Sequence, residues 1–376
     1  MPSLQHMRFD NVGSLLRPAS LKRAYADHDA GSIDDAGLRQ AQDEAVASVI
    51  AAQEAHGFPV VVDGEFRRRQ FMESFATVAG FDGVRRELTA SVLAREGPSG
   101  GRGRLRRDPA LSVGVAATEP LRLRENRPLE EYRFAAARTA IPVKATLVGP
   151  DRLAQMFEPR GSIERYRDRR VFLDDVVGVE RDIVRGLVDA GCRYIQVDAP
   201  GFTAYVDGRS RERMRARGLD PDEQLDATIA AENAVIAGFS EVTFGIHVCR
   251  GNREGRWHRE GTYDAVAERL FGGLRHDRFL LEYDTPRAGN FAPLRFVQGD
   301  AVAVLGLVTT KHPALEDKDE VKRRIDEAAG HVPTERLGLS PQCGFASSLV
   351  GNPVTVDDQW RKLDLVRDVC EEVWGR

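Results

Sequence analysis

The feature that most constrains this chain is a rhythm. Eight short apolar runs recur along it, each ending in polar residues, Gly or Pro, with stretches of helical periodicity between them. The runs are Phe9–Gly13, Pro59–Gly64, Ile141–Val148, Arg193–Asp198, Val242–Cys249, Arg278–Tyr283, Ala301–Val308 and Leu337–Gln342. Ser32 with Asp35 opens a helix that carries Leu38, Ala41, Ala45 and Val49 on one face and closes at Gly57. A second helix aligns Phe172, Val176, Val179, Ile183 and Leu187 and stops at Gly191. Thr262 is placed to cap a third, and Thr355 with Asp358 a last one that turns Leu363, Val366, Cys370 and Val373 inward. Repeated strand–helix units force a parallel sheet, and eight of them close most simply into one α/β domain over residues 1–376, a (β/α)8 TIM barrel. The alternative is an open doubly wound sheet. It is weakened because no Gly-rich phosphate loop follows any strand.

The segment 85–138 breaks the rhythm. It carries twelve arginines against seven acidic residues, and Gly97-Pro98-Ser99-Gly100-Gly101 has loop composition. It reads as an insertion between the second and third strands, either a solvated loop or a lid or wall for an anionic substrate. Composition narrows the partners. With 42% hydrophobic and 30% charged residues and a net charge of −4, the chain is an ordinary globular protein without a positive field for nucleic acid or an anionic membrane. The apolar run Ala301–Val308 is far short of the roughly 20 residues a membrane span needs, and the first ten residues lack the apolar core of a signal peptide. Four cysteines make no disulfide framework in a chain of 376 residues. They fit a reducing, cytoplasmic compartment.

A barrel builds its active site at the C-terminal ends of its strands. Four residues stand there with metal-binding side chains: His247 and Cys249 on the fifth strand, Glu282 on the sixth and Cys343 after the eighth. His247 and Cys249 are two apart and leave the same face of a strand. Together the four would fill the tetrahedron of a zinc ion. Two thiolates and a carboxylate overbalance the dication, so such a zinc is a poor generator of hydroxide. It is suited instead to binding an incoming thiol and holding it as a thiolate. Thiol alkylation is therefore favoured over hydrolysis. Other strand ends add Ser14, Asp63 with Glu65, and Asp198, and carboxylates converging on one mouth suit an ammonium group on the thiol substrate. Cys192 and Cys370 read as packing, and the histidines His6, His28, His56, His258, His276 and His331 as surface residues.

At these residues the chain resembles the catalytic barrel of cobalamin-independent methionine synthase, and more closely the short, single-barrel methionine synthase II-like proteins. The matching segments are Val12-Gly13-Ser14, Asp63-Gly64-Glu65-Phe66, Gln196-Val197-Asp198-Ala199-Pro200, His247-Val248-Cys249, Glu282 and Pro341-Gln342-Cys343-Gly344. The resemblance implies zinc held by His247, Cys249, Glu282 and Cys343. It also implies homocysteine bound through the Ser14 region, Glu65 and Asp198, and methyl transfer that yields methionine. Full-length members carry a second barrel that helps bind a polyglutamylated methylfolate, and this sequence has none. Where they place a proton-donating histidine, this chain reads Lys311-His312-Pro313. Lys311 or His312 takes that role, with Lys311 favoured by position. The methyl donor stays open: a methylfolate, a methylcorrinoid protein or another alkyl donor. The same barrel type includes an epoxyalkane:coenzyme M transferase, so thiol addition to an epoxide is the alternative. The arginines Arg17, Arg67, Arg68, Arg69, Arg250 and Arg287 suit a sulfonate or a carboxylate equally well. A zinc hydrolase, or a barrel whose zinc is only structural, are the remaining readings.

Overall fold

The computed structural model describes residues 3–81 and 114–375. A two-residue antiparallel ribbon, β1 (Val78–Ala79) with β2 (Arg122–Leu123), stands apart from the main sheet. The main sheet is parallel and follows chain order: β3 (Lys144–Val148), β4 (Tyr194–Asp198), β5 (Thr243–Val248), β6 (Arg278–Glu282), β7 (Val302–Val308) and β8 (Leu337–Pro341). Phe9 bridges Leu339 on the outer side of β8, and Val61 bridges Val143 just ahead of β3, both in parallel sense. Leu15 N–H donates to the Gly64 carbonyl across the remaining seam. Eight staves therefore close a (β/α)8 barrel.

Six of the eight expected strands are ladders. The first two, expected over Phe9–Gly13 and Pro59–Gly64, are each reduced to a single bridge. Side chains have taken their backbone groups. Gln53 spans both polar groups of Val62, accepting from its N–H at 3.0 Å and donating to its carbonyl at 2.7 Å. Lys144 donates to the Asn11 carbonyl, and Gln196 to that of Val12 at 2.6 Å. Buried backbone groups need partners, but side-chain amides and ammoniums serve as well as a neighbouring strand.

The helices follow their periodicity. Arg169–Asp189 buries Phe172, Val176, Val179, Ile183 and Leu187, and Val356–Trp374 begins with the capping box of Thr355 and Asp358. Two starts differ from expectation. Asp34 rather than Ser32 caps Asp35–Ala55, because the Ser32 N–H is bonded back to Asp27 in the turn that closes the preceding helix. Thr262 makes no capping bond, and a single turn, Tyr263–Ala265, precedes the helix Ala267–Gly273. Of the expected insertion, residues 85–113 lie outside the described residues. The rest packs against the outside of the barrel. Val115 bridges Phe157, and the helix Arg127–Ala136 sends Glu131 to a buried ion pair with Arg68 at 2.6 Å. No helix among the described residues is long and apolar enough to cross a membrane.

Charge fills the lower part of the barrel. Asp10 is fully buried between Lys144 Nζ at 2.8 Å and Arg278 Nη2 at 2.9 Å, with the Tyr194 hydroxyl donating to the same carboxylate. Burial opposes the Asp10 charge, but Lys144 and Arg278 outweigh it and hold the carboxyl below its ordinary value. Lys144 also donates to Gln196 at 2.8 Å, and Gln196 in turn to Asp198 at 2.7 Å. A polar column thus rises from the floor to the mouth. Asp10→Asn leaves Lys144 and Arg278 buried without a countercharge. We expect a loss of about 3–5 kcal/mol in urea unfolding; an unchanged midpoint would show that the cluster does not restrain the fold.

A second buried group is acidic and poorly compensated. Burial pushes Glu180, on the helix Arg169–Asp189, up to about 8. It faces Glu232, whose neighbour Asp151 is pushed to about 7 by burial against the pull of Arg259 and Arg152. Both values lie above those of the unfolded chain, so this contribution to stability is complete below about pH 4 and is lost as pH rises towards 8. Glu180→Gln should raise stability by about 1–3 kcal/mol at pH 8.5 and by little at pH 4.5. Equal effects at both pH values in thermal unfolding would contradict this.

Candidate active site

Because the parallel ladder pairs Asp198 with His247, the ends of β4 and β5 stand level. Their inward side chains alternate with outward ones, so His247 and Cys249 both face the mouth. Cys343 arrives from the turn after β8. One side-chain ligand atom from each of His247, Cys249 and Cys343 falls within 4.8 Å of the others, and all three residues are buried. The two sulfurs are 3.9 Å apart. His247 Nδ1 lies 3.2 Å from the Leu280 carbonyl. A carbonyl only accepts, so Nδ1 carries a hydrogen, and in the neutral ring Nε2 is the nitrogen with the lone pair. That Nε2 is buried without a hydrogen-bond partner. Among the described residues this trio is the one group of His, Cys, Asp and Glu that could hold a metal ion. An unpartnered imidazole nitrogen beside two thiols is a donor set that fits zinc.

The thiols are unequal. The Cys343 thiol donates towards Cys249, which draws Cys249 well below its ordinary range, with His247 adding to the effect against burial. Cys343 is driven well above its own. Glu282, at the end of β6, is held differently from the trio. Its Oε2 accepts from the Arg250 backbone N–H at 2.7 Å and its Oε1 from Arg287 at 2.7 Å, with Lys311 Nζ at 3.7 Å. Burial opposes its charge, but Lys311, Arg250 and Arg287 prevail and keep the carboxyl at about 2. Lys311 also lies 3.2 Å from Asp284. The next residue, His312, is half-buried.

The expected substrate residues converge on the same mouth. Ser14 lies against Gly344, where a Cβ would come within 1.9 Å of the Ser14 hydroxyl, so only glycine lets it sit beside Cys343. Gly64 and Glu65 are both left-handed, at φ 70° and 59°, and the Asp63 carboxylate accepts from the Glu65 N–H at 2.9 Å. For a glutamate this backbone is strained by roughly 1 kcal/mol. The turn brings Glu65 Oε1 to Thr146 at 2.9 Å and leaves Oε2 buried with no hydrogen-bond partner. Burial pushes Asp198 up to about 7; His247 pulls the other way and Glu65 adds to the push.

The arginines expected as anion partners are committed to the protein itself. Arg17 donates to the carbonyls of Ala346, Glu65 and Arg68. Arg68 pairs with Glu131, Arg67 with Asp43, and Arg69 with Asp29. Arg250 closes its own loop onto the Gly261 carbonyl at 2.8 Å, and Arg287 lies over the Trp257 ring while bound to Glu282. Asp284 escaped the sequence reading, although Glu282 and Asp284 share the same-face spacing that singled out His247 and Cys249. His276, expected at the surface, is 2% exposed, with neither ring nitrogen hydrogen-bonded. Burial pushes it down to about 3.

Known proteins share this architecture. The chain is 38% identical over 372 residues to the Bacillus subtilis protein YxjH, covering 98% of this chain and 94% of that one. It is 25% identical over 336 residues to a protein named methionine synthase from Pyrococcus abyssi, covering 89% and 85%. Among solved structures, a putative vitamin-B12 independent methionine synthase from Listeria monocytogenes superposes with a TM-score of 0.73 at 28% identity, covering 98% of each chain. The family model of the cobalamin-independent synthase catalytic domain matches residues 9–355. By that match, this chain belongs to the cobalamin-independent synthase, catalytic domain family.

Proposed function

We propose that this protein transfers a methyl group to the sulfur of homocysteine, giving methionine, with zinc held by His247, Cys249, Glu282 and Cys343. The observation that carries the proposal is the buried trio of one imidazole and two thiols, whose ligand atoms lie within 4.8 Å of one another. Zinc in this donor set would lower the pKa of a thiol substrate and keep its sulfur nucleophilic at neutral pH. Glu282 is kept ionised by its cationic neighbours and lies within electrostatic reach of the trio; to serve as the fourth ligand it would turn an oxygen away from Arg287 or the Arg250 N–H.

The rest of the mouth favours an amino-acid thiol. Glu65 Oε2 has no hydrogen-bond partner and Asp198 lies near it, so a cationic ammonium would add a donor to two buried carboxyls that Arg68 and Gln196 satisfy only in part. A sulfonated thiol finds less, because the arginines near the mouth already hold carbonyls and carboxylates. Ser14, wedged against Gly344, is placed to meet the substrate carboxylate. In the transfer a sulfur–carbon bond forms as the donor's bond to the methyl carbon breaks. Lys311 Nζ, held between Glu282 and Asp284, supplies the leaving group with a proton.

Calorimetric titration of metal-analysed protein with homocysteine, repeated in buffers of different ionisation enthalpy, tests the proposal. One zinc per chain and about one proton released per thiol bound are expected. Zinc without homocysteine binding would overturn the substrate, and absence of zinc would overturn the site. Cys343→Ser should lose both metal and turnover; an active, zinc-free variant would defeat the reading. Glu65→Gln should weaken homocysteine about 10- to 100-fold and barely affect 4-mercaptobutyrate, which lacks the ammonium group. Equal losses for both thiols would remove Glu65 from ammonium binding.

A further inference from the structure

Strand β7 brings no metal-ligating side chain to the mouth, yet it lies between the strands that carry Glu282 and lead to Cys343. Its Gly306 is level with Glu282 on one side and Ser340 on the other. A Cβ at Gly306 would come 2.7 Å from the Leu281 carbonyl oxygen and 2.9 Å from Gln342 Cα, so the two neighbours close in on a strand that is bare at this height. The three residues beyond the strand then turn to either side. Thr309 donates to Asp284 at 2.8 Å, and Lys311 reaches the same carboxylate on the Glu282 side.

Thr310 turns the other way. Its hydroxyl lies 3.0 Å from Gln342 Oε1 and 3.2 Å from the Gly344 carbonyl, the residues immediately before and after Cys343. It accepts from Asn252 Nδ2 at 2.9 Å, and the same amide donates to the Gly344 carbonyl at 2.9 Å. Asn252 lies three residues beyond Cys249. The Thr310 carbonyl takes Asn352 Nδ2 at 2.9 Å, and Asn352 holds the tip of the Asn252 loop through the Gly255 N–H. Thr310 and Gln342 are fully buried and Asn252 nearly so. The Thr310 hydroxyl, its one hydrogen shared between Gln342 and Gly344, and the Asn252 amide together join both flanks of Cys343 to the loop that follows Cys249.

We infer that Thr310 is a positioning residue that fixes the Cys343 turn against Cys249 and so sets the spacing of the two thiols. For metal binding this rests on the zinc reading above; for thiol placement it does not. Groups behind the ligands orient them, and losing one weakens metal affinity about 10- to 100-fold. Thr310→Val keeps the shape and removes the hydroxyl, whereas Thr310→Ser keeps the hydroxyl.

The test has two readouts on purified full-length protein. Competition with a chelator gives zinc affinity, and mass spectrometry of iodoacetamide-treated, metal-stripped protein gives the alkylation rate of each cysteine. In Thr310→Val, zinc affinity should fall about 10- to 100-fold and Cys343 should alkylate about tenfold faster. Cys192 and Cys370, far from the mouth, should keep their rates, and Thr310→Ser should match the parent. An unchanged Cys343 rate in Thr310→Val overturns the inference. So does an equal rise at all four cysteines, or a Thr310→Ser variant as impaired as Thr310→Val. If the parent holds no zinc, the metal reading fails, and the alkylation pattern alone upholds or overturns the role of Thr310.

Discussion

The carboxylate of Asp10, sealed inside the barrel between Lys144 and Arg278, is the interaction on which the rest of the structure depends. Three charges without water demand one arrangement, because any slip of a strand would strand one of them. The Phe9 segment has only one bridge to its neighbour, so this cluster does for it what a ladder does elsewhere. It binds the first stave to β3, β4 and β6 at once. Gln196 then carries the same order upward, from Lys144 at the floor to Asp198 at the mouth.

The mouth inherits that precision. Parallel register sets the strand ends level, so residues remote in sequence meet without long loops. The electrostatics are uneven by construction. Glu282 sits among cations and stays ionised, whereas burial pushes Asp198 up to about 7 although Gln196 donates to it. The trio of His247, Cys249 and Cys343 lies near both carboxyls. Three potential metal ligands beside the buried carboxyls of Glu65 and Asp198 are the chemical groups that this mouth brings together.

Much of this was legible in the sequence. Six strands, the helix faces and the strand-end positions of His247, Cys249, Glu282 and Cys343 followed from local periodicity, which burial enforces residue by residue. The first two runs, Phe9–Gly13 and Pro59–Gly64, have the composition of full strands yet form one bridge each. Which group satisfies a backbone carbonyl, another strand or the side chain of Gln53, is invisible to composition. The arginines misled in a similar way. A guanidinium at a strand end looks the same whether it awaits a substrate anion or, like Arg68, already holds Glu131. His276 is enclosed by long-range packing, and nothing in its local sequence marks it as buried.

Sequence alone determined the kinds of group available and the end of the barrel at which each would emerge, because position along a parallel strand sets the end and alternation sets the face. Only the tertiary structure decided which of those groups meet. It brought Cys343 to 3.9 Å from Cys249, turned Glu282 towards Arg250 and Arg287, and left one oxygen of Glu65 without a partner. The reason is range. Periodicity is written within a few residues, whereas partnership depends on distances between segments that only the closed barrel, pinned through Asp10, brings together.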